Sequence, residues 1–272
     1  MGLFVPHDIQ RLSGELPGLA HMAKILIDRL HDTKRADFDD AAWISPLPCP
    51  AALASIKHIQ RLNIPDHLVS GDFDQFALGP NSADLILVCG GLDTVNDLPG
   101  ALIQIRRALK PDGLFLCALP GGETLHELRD SITRVEMDRR AGLSPRIHPM
   151  IDLQTWAALM QRAGFALPVA DSEIVPVSYR SLQTLLRDLK AEGGLRLSQK
   201  DETFVGKDFW RDVECDYFNH HRAKDGHLDA SFEILYGIGW GPSATQQQPL
   251  RPGSAEKRLA DALGTTESKL PR

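Results

Sequence analysis

Asp216, His220, His221 and His227 are the side-chain types that ligate a metal, and Asp216 and His220 have the spacing that places two side chains on one helix face. Asn219, Arg222 and Lys224 are interleaved with them, so the expectation is a solvated helix end and no metal. Cys49, Cys89, Cys117 and Cys215 are too far apart for a zinc-binding CxxC pattern. Cys89 and Cys117 lie in apolar, strand-like runs and read as buried reduced thiols. Ser13-Gly14 and Ser144-Pro145 lack the context of a nucleophile elbow, and no Walker loop is present. Gly121-Gly122-Glu123-Thr124 opens a helix just past a strand, where backbone N–H groups can face a ligand or simply cap the helix.

The elements that must position these residues follow from apolar spacing. Leu19, Met22, Ala23, Leu26, Ile27 and Leu30 form one helical face. Ala41 to Ile44 reads as a first strand, Ala51 to Ile59 as a helix after a proline-rich turn, and Val69 to Phe73 as a weak strand. Asp84 to Cys89 is a continuous apolar run followed by Gly90-Gly91, the pattern of a strand buried on both faces. A helix from Leu98 to Leu109, with Asp97 as N-cap and Pro99 in its first turn, leads through the turn Lys110-Pro111-Asp112-Gly113 to a strand from Leu114 to Leu119. Glu123 to Arg140 and Asp152 to Ala163 are predicted helices, the second ending at Gly164. Phe165 to Val177 carries strand material, Ser181 to Lys190 a helix, and Gly193-Gly194 a break. Ser231 to Trp240 is expected to close the sheet. Trp210, Tyr217 and Phe218 are expected to pack one helix face.

The chain has 272 residues, 43% of them hydrophobic, enough for one α/β domain over 1–245 with a polar tail over 246–272, in which Ala255 to Leu263 can form a short helix. Its 30 basic and 36 acidic residues are scattered and net to −6, which argues against a nucleic-acid surface. Pro6 interrupts the short apolar patch near the start, no basic segment precedes it, and no run approaches the roughly 20 apolar residues of a membrane span. The expectation is a cytoplasmic protein with no transmembrane segment.

Val95-Asn96-Asp97-Leu98-Pro99-Gly100, Gly121-Gly122-Glu123-Thr124-Leu125-His126-Glu127-Leu128-Arg129, Ser144-Pro145-Arg146-Ile147-His148-Pro149, Arg162-Ala163-Gly164-Phe165 and Gly237-Ile238-Gly239-Trp240 occur in one order. Together they resemble class I methyltransferases of the type 11 kind, in the branch of the mitochondrial complex I assembly factor with arginine-hydroxylase activity and its bacterial relatives. The carrier-protein methyltransferase of the biotin pathway is a more distant cousin. The resemblance implies a Rossmann-like, mostly parallel sheet and S-adenosylmethionine as cofactor. Family members place an acid and a GxGxG loop after the first strand, where this chain has Pro46, then Pro48, Pro50 and Ala52. Proline fixes φ near about −65° and donates no N–H, and each lost hydrogen bond costs about 0.5–1.5 kcal/mol. The interval from Ala52 to Asp72 is also shorter than the roughly 30 residues of a βαβ unit, so the first half is expected to be truncated, with one strand–helix unit shortened or missing.

By the same resemblance Asp72 falls where a carboxylate contacts the adenine amino group, and Asp66 is a weaker counterpart of the ribose acid. Asp93 and Thr94 stand where the family has a histidine and an aromatic residue facing the reactive methyl. Asp93 can act as a base if burial raises its pKa, or can cap the next helix. Gly121, Gly122, Thr124 and Arg129 mark a substrate or partner crevice. Two functions stay open. One is a methyltransferase-family enzyme, or a hydroxylase using the same cofactor, acting on a protein or carrier-bound group. The other is a non-catalytic pseudoenzyme that kept a partner-binding half, for which the resemblance implies a role in respiratory complex I assembly.

Overall fold

A computed structural model describes residues 17–33, 35, 37–62, 78–140, 142–144, 146–147, 149–191, 205–223, 226–246 and 264–265. The chain forms two units, Met1–Pro242 and Ser243–Arg272. In the second, Ser243 and Gln246 close a turn, the Gln246 N–H donating to the Ser243 carbonyl at 3.3 Å. Ala255 to Leu263 lies outside the described residues.

The first helix, α1 (Pro17–Asp32), buries Met22, Leu26 and Leu30 with Ala23 and Ile27, the stripe its spacing predicts. Strand β1 (Asp40–Ile44) follows. The helix expected over Ala51 to Ile59 does not form: Ala51–Leu53 makes one 3-10 turn and the chain enters a second strand, β2 (His58–Leu62), parallel to β1. His58 to Leu62 instead pairs residue for residue with Asp40 to Ile44, and Ile56 and Ile59 pack, partly buried, against the core. Strand β2 is therefore present, and the shortening expected of this strand–helix unit falls on the helix before it. Val69 to Phe73, Asp66 and Asp72 lie outside the described residues.

Strand β3 (Ala83–Cys89) is buried at every position. Helix α2 (Leu98–Ala108) begins at Asp97, whose Oδ1 accepts from the Gly100 amide at 2.9 Å. Strand β4 (Leu109–Pro120) pairs in parallel with β3, so the two apolar runs are adjacent strands joined by α2, as predicted. Lys110-Pro111-Asp112-Gly113 is not a turn between elements but an irregularity inside β4, where the register slips between Ala83 and Leu85. Asp112 takes a φ of 58° there, and Gly113 and Gly241 hold the fold closed through a 2.7 Å bond from the Gly241 amide.

Helices α3 (His126–Arg140) and α4 (Leu153–Arg162) precede strand β5 (Ala166–Tyr179). α3 starts three residues later than its sequence suggests, because Gly122 to Leu125 is drawn into contact with the last strand. Helices α5 (Leu182–Ala191) and α6 (Lys207–His220) lead to that strand, β6 (Leu228–Trp240). Sheet order is β2-β1-β3-β4-β6-β5. β6 runs antiparallel to both neighbours, so it lies within the sheet and β5, not the Ser231 to Trp240 run, forms the edge. α1 packs on one face against Trp43, Leu87 and Leu116, and α2 with α4 on the other against Ile86, Phe115 and Leu119. A third cluster joins α3, α5 and α6 around Leu128, Leu185 and Tyr217, with Trp210 and Phe218 against its rim.

Gly237 is where β6 passes beneath α4, and a Cβ there would stand 2.8 Å from Cys117 Sγ, Met160 Sδ and Trp156 Cζ2. Overpacking of this kind costs about 1–3 kcal/mol. Gly237→Ala is expected to lower the unfolding free energy by that amount, seen as a lower urea midpoint at an unchanged slope by tryptophan fluorescence.

Candidate functional site

Ile44 pairs with Val88, and Val88 with Cys117, so the carboxyl ends of β1, β3 and β4 lie at the same end of the sheet, with β4 running two residues further. The segments that follow, Ser45 to Pro50, Gly90 to Asn96 and Gly121 to Leu125, therefore leave the sheet at the same end, the ligand-binding end of open α/β sheets. The Ser45 hydroxyl ties the first two together, donating to the Cys89 carbonyl at 2.8 Å and accepting from the Leu47 amide at 3.1 Å. Trp43 Nε1 donates to the Leu47 carbonyl at 3.0 Å. Both polar groups of Leu47 are thus consumed within the loop. Pro46, Pro48 and Pro50 have no N–H, and Pro50 has the polyproline dihedrals −58° and 140°. Ala23 and Ile27 of α1 face Leu47, Pro48 and Pro50 across a shallow, mainly apolar groove of about 360 Å³.

The second segment is closed by its own side chains. Gly90 (φ 70°) and Gly91 (φ 84°) take left-handed conformations that favour glycine. The Leu19 side chain occupies the space a Cβ on Gly90 would need, so the start of α1 sits directly on this turn. Asp93 Oδ1 accepts from the Gly91 amide at 2.9 Å, and the Thr94 hydroxyl donates to the Gly91 carbonyl at 2.7 Å. Both side chains turn back on the loop, and the next helix is capped by Asp97 and not by Asp93.

The third segment has little donor capacity left for a ligand. Its amides are taken at Gly121 by the Glu233 carbonyl (2.9 Å), at Gly122 by Ile151 (2.9 Å), at Thr124 by Gly121 (3.0 Å) and at Leu125 by Ser231 (2.7 Å). The Glu123 amide donates to Glu233 Oε2 at 2.8 Å. The Thr124 hydroxyl is buried between the Glu233 carbonyl and amide. Arg129 donates to the carbonyls of Gly122 (3.1 Å) and Thr124 (3.0 Å). Gly121, Gly122, Thr124 and Arg129 lie together in a junction with β6. The organising carboxylates, Glu233 and Glu127, were not singled out in the sequence. Glu127 accepts from the Ser231 amide (3.1 Å) and hydroxyl (2.5 Å). The available signal was a polar alternation at Asp229, Ser231 and Glu233 at the start of a strand that is mostly apolar beyond them.

The histidine-rich stretch is a packing contact between α3 and α6. Arg134 holds Asp216 at 2.8 Å and approaches His221 Nε2 at 3.2 Å, while His220 Nδ1 stands 3.4 Å from Asp216. Burial and the Arg134 guanidinium push His221 below the ordinary imidazole value. His227 uses its carbonyl to accept from the Ala223 amide at 2.9 Å. Among the described residues no three His, Cys, Asp or Glu side chains are grouped to hold a metal ion. Cys89 and Cys117 are buried free thiols, Cys89 pushed up to about 12 by burial. Among the described residues no helix is long and apolar enough to cross a membrane.

Residues 18–168 match the methyltransferase-domain family. The chain is 35% identical over 208 residues to "Arginine-hydroxylase NDUFAF5, mitochondrial" of Danio rerio, covering 76% of this chain and 65% of that protein. It is 33% identical over 217 residues to the Homo sapiens protein of the same name, covering 80% and 63%. The chain thus spans less than two thirds of these relatives. Against malonyl-(acyl-carrier protein) O-methyltransferase of Methylovorus sp. (strain MP688) the identity is 32%, covering 85% of this chain and 75% of that protein. Among solved structures, YcgJ of Bacillus subtilis matches with a TM-score of 0.53 at 11% identity, covering 81% of this chain and 100% of that one, a likeness of fold. With the parallel β2-β1-β3-β4 core and these matches, the chain belongs to the class I S-adenosylmethionine-dependent methyltransferase-like family.

Proposed function

We propose that this protein is a pseudoenzyme of its family, with weak or no affinity for S-adenosylmethionine, that works by binding another protein. The observation that carries this is the loop after β1. Its prolines remove donors at 46, 48 and 50, and Leu47 spends its amide on Ser45. Losing two or three hydrogen bonds from a cofactor loop weakens binding by at least about a hundredfold. The loop leads into a single 3-10 turn, so no full helix directs its N-terminal dipole at the site. Asp93 and Thr94, turned back on Gly91, offer neither a base nor an aromatic wall.

The matched arginine hydroxylases support an assembly role in respiratory complex I as the setting for such a protein. A second reading is favoured by the presence of β2, the strand expected to carry the ribose contact. On that reading the protein uses the cofactor in a remodelled pocket, to modify a protein or carrier-bound acceptor. The cofactor residues would then be Asp72, Asp93 and Thr94. The crevice at Gly121, Gly122, Thr124 and Arg129 would receive the acceptor on the second reading and the partner on the first.

Calorimetric titration with S-adenosylmethionine and S-adenosylhomocysteine separates the two. Silence at millimolar ligand is the expected result, and a dissociation constant in the low micromolar range would overturn the pseudoenzyme reading. Replacing Pro48, Pro50 and Ala52 together by glycine is expected to recover at most part of the affinity, because glycines restore backbone freedom but not the missing helix. Full recovery in that variant, folded by circular dichroism, would show that the prolines alone were responsible.

A further inference from the structure

The outer edge of β5 has a definite hydrogen-bonding pattern, set by the strand behind it. On β6, the Ser231 amide goes to Glu127 and its carbonyl to Leu125, and the Glu233 amide and carbonyl go to Thr124 and Gly121. These groups therefore point away from β5. Ser231 pairs with Pro176 and Glu233 with Ile174, and in an antiparallel pair whose members do not bond each other both point outward. Ala170 and Ser172 share the parity of Ile174. The backbone groups of Ala170, Ser172 and Ile174 consequently face the open side of the sheet, where among the described residues no further strand pairs. Pro168 and Pro176, which have no N–H, delimit this row at both ends. Between them no proline interrupts the row of outward amides.

Side chains add a chemical preference. Asp171 and Glu173 lie at the edge on the α1 face, both about half exposed; Asp171 Oδ2 also holds Arg29 at 2.8 Å and Glu173 Oε2 accepts from the Tyr236 hydroxyl, so a cation from outside would share these carboxylates with the groups behind them. Val169 and Ile174 are 55% and 56% exposed. A second copy of this chain pairing antiparallel about Ser172 would set Asp171 against Glu173 of its mate, and directly opposed like charges destabilise a sheet. We propose that β5 from Val169 to Val175 is a docking site for an extended cationic segment of a partner protein, which adds to the sheet as a further strand. Alternate cations of that segment face Asp171 and Glu173, and the apolar residues between them cover Ile174. This inference rests on the interaction reading above and gives it a surface.

The test uses the full chain, labelled with nitrogen-15, and an acetylated, amidated heptapeptide alternating valine with lysine. Addition is expected to shift the amides of Ala170, Ser172 and Ile174 and slow their exchange, with binding that weakens as salt rises. Ser172→Pro places a proline where Pro176 shows the ladder to β6 tolerates one. It is expected to weaken binding at least about tenfold without altering the fold. A peptide with glutamate for lysine is expected not to bind. Equal binding to Ser172→Pro, or equal binding of the glutamate peptide, would overturn the proposal. So would protection of these three amides in the free monomer, or in a concentration-dependent dimer that Ser172→Pro dissolves, which would make the occupant the chain itself or a second copy. Titrating Ser172→Pro with S-adenosylmethionine keeps this result separate from the cofactor question.

Discussion

Insertion of β6 between β4 and β5 governs both ends of this molecule's chemistry. As an antiparallel strand between neighbours that run the other way, it must satisfy backbone groups on both sides. Beyond Pro120, where β4 ends, the partners on that side come from Gly121 to Leu125 and from Glu127. The segment that would otherwise present amides to a ligand is spent on holding the last strand. Buried carboxylates make this possible: Glu233 reaches the Glu123 amide and Glu127 reaches Ser231, bonds of the charge-assisted kind that outlast neutral ones in a dry setting.

The same insertion leaves β5 at the edge. α1 reaches across to it through Arg29, which pairs with Asp171 at 2.8 Å and stacks on the Tyr236 ring at 4.0 Å. The Tyr236 hydroxyl donates to Glu173 at 3.2 Å. Burial, followed by the Glu173 carboxylate, raises Tyr236 well above the ordinary phenol value, so it remains a donor at any physiological pH. One helix therefore touches the cofactor-side turn through Leu19 and the outer edge through Arg29.

A proline loop in place of a glycine loop changes what this end of the sheet can do. Glycines leave amides and open space for an anion, whereas alternate prolines give a stiff, apolar ridge, here packed across a groove from Ala23 and Ile27. The family fold survives this because β1, β3 and β4 carry the core, and the loop that follows β1 still packs Leu47 and Cys49 on it and ties Ser45 to the Cys89 carbonyl.

Much of this was legible in the chain. Asp84 to Cys89 and Leu114 to Leu119 are uninterrupted apolar runs, and only a strand buried on both faces uses such a run at that length. Asp97, Asp152 and Gly164 marked helix ends because capping is local chemistry, settled by residues three or four apart. The proline substitutions were equally visible, since a missing N–H is a property of the residue itself. The helix expected over Ala51 to Ile59 failed because strand pairing with β1 outweighed a short periodic pattern, a competition between local propensity and partners distant in sequence. Where β6 inserts, how the amides of Gly121, Glu123 and Leu125 are consumed by it, and which edge of β5 is left open depend on partners distant along the chain. Those relations belong to the tertiary structure alone, because no local rule determines which strand a backbone group will meet.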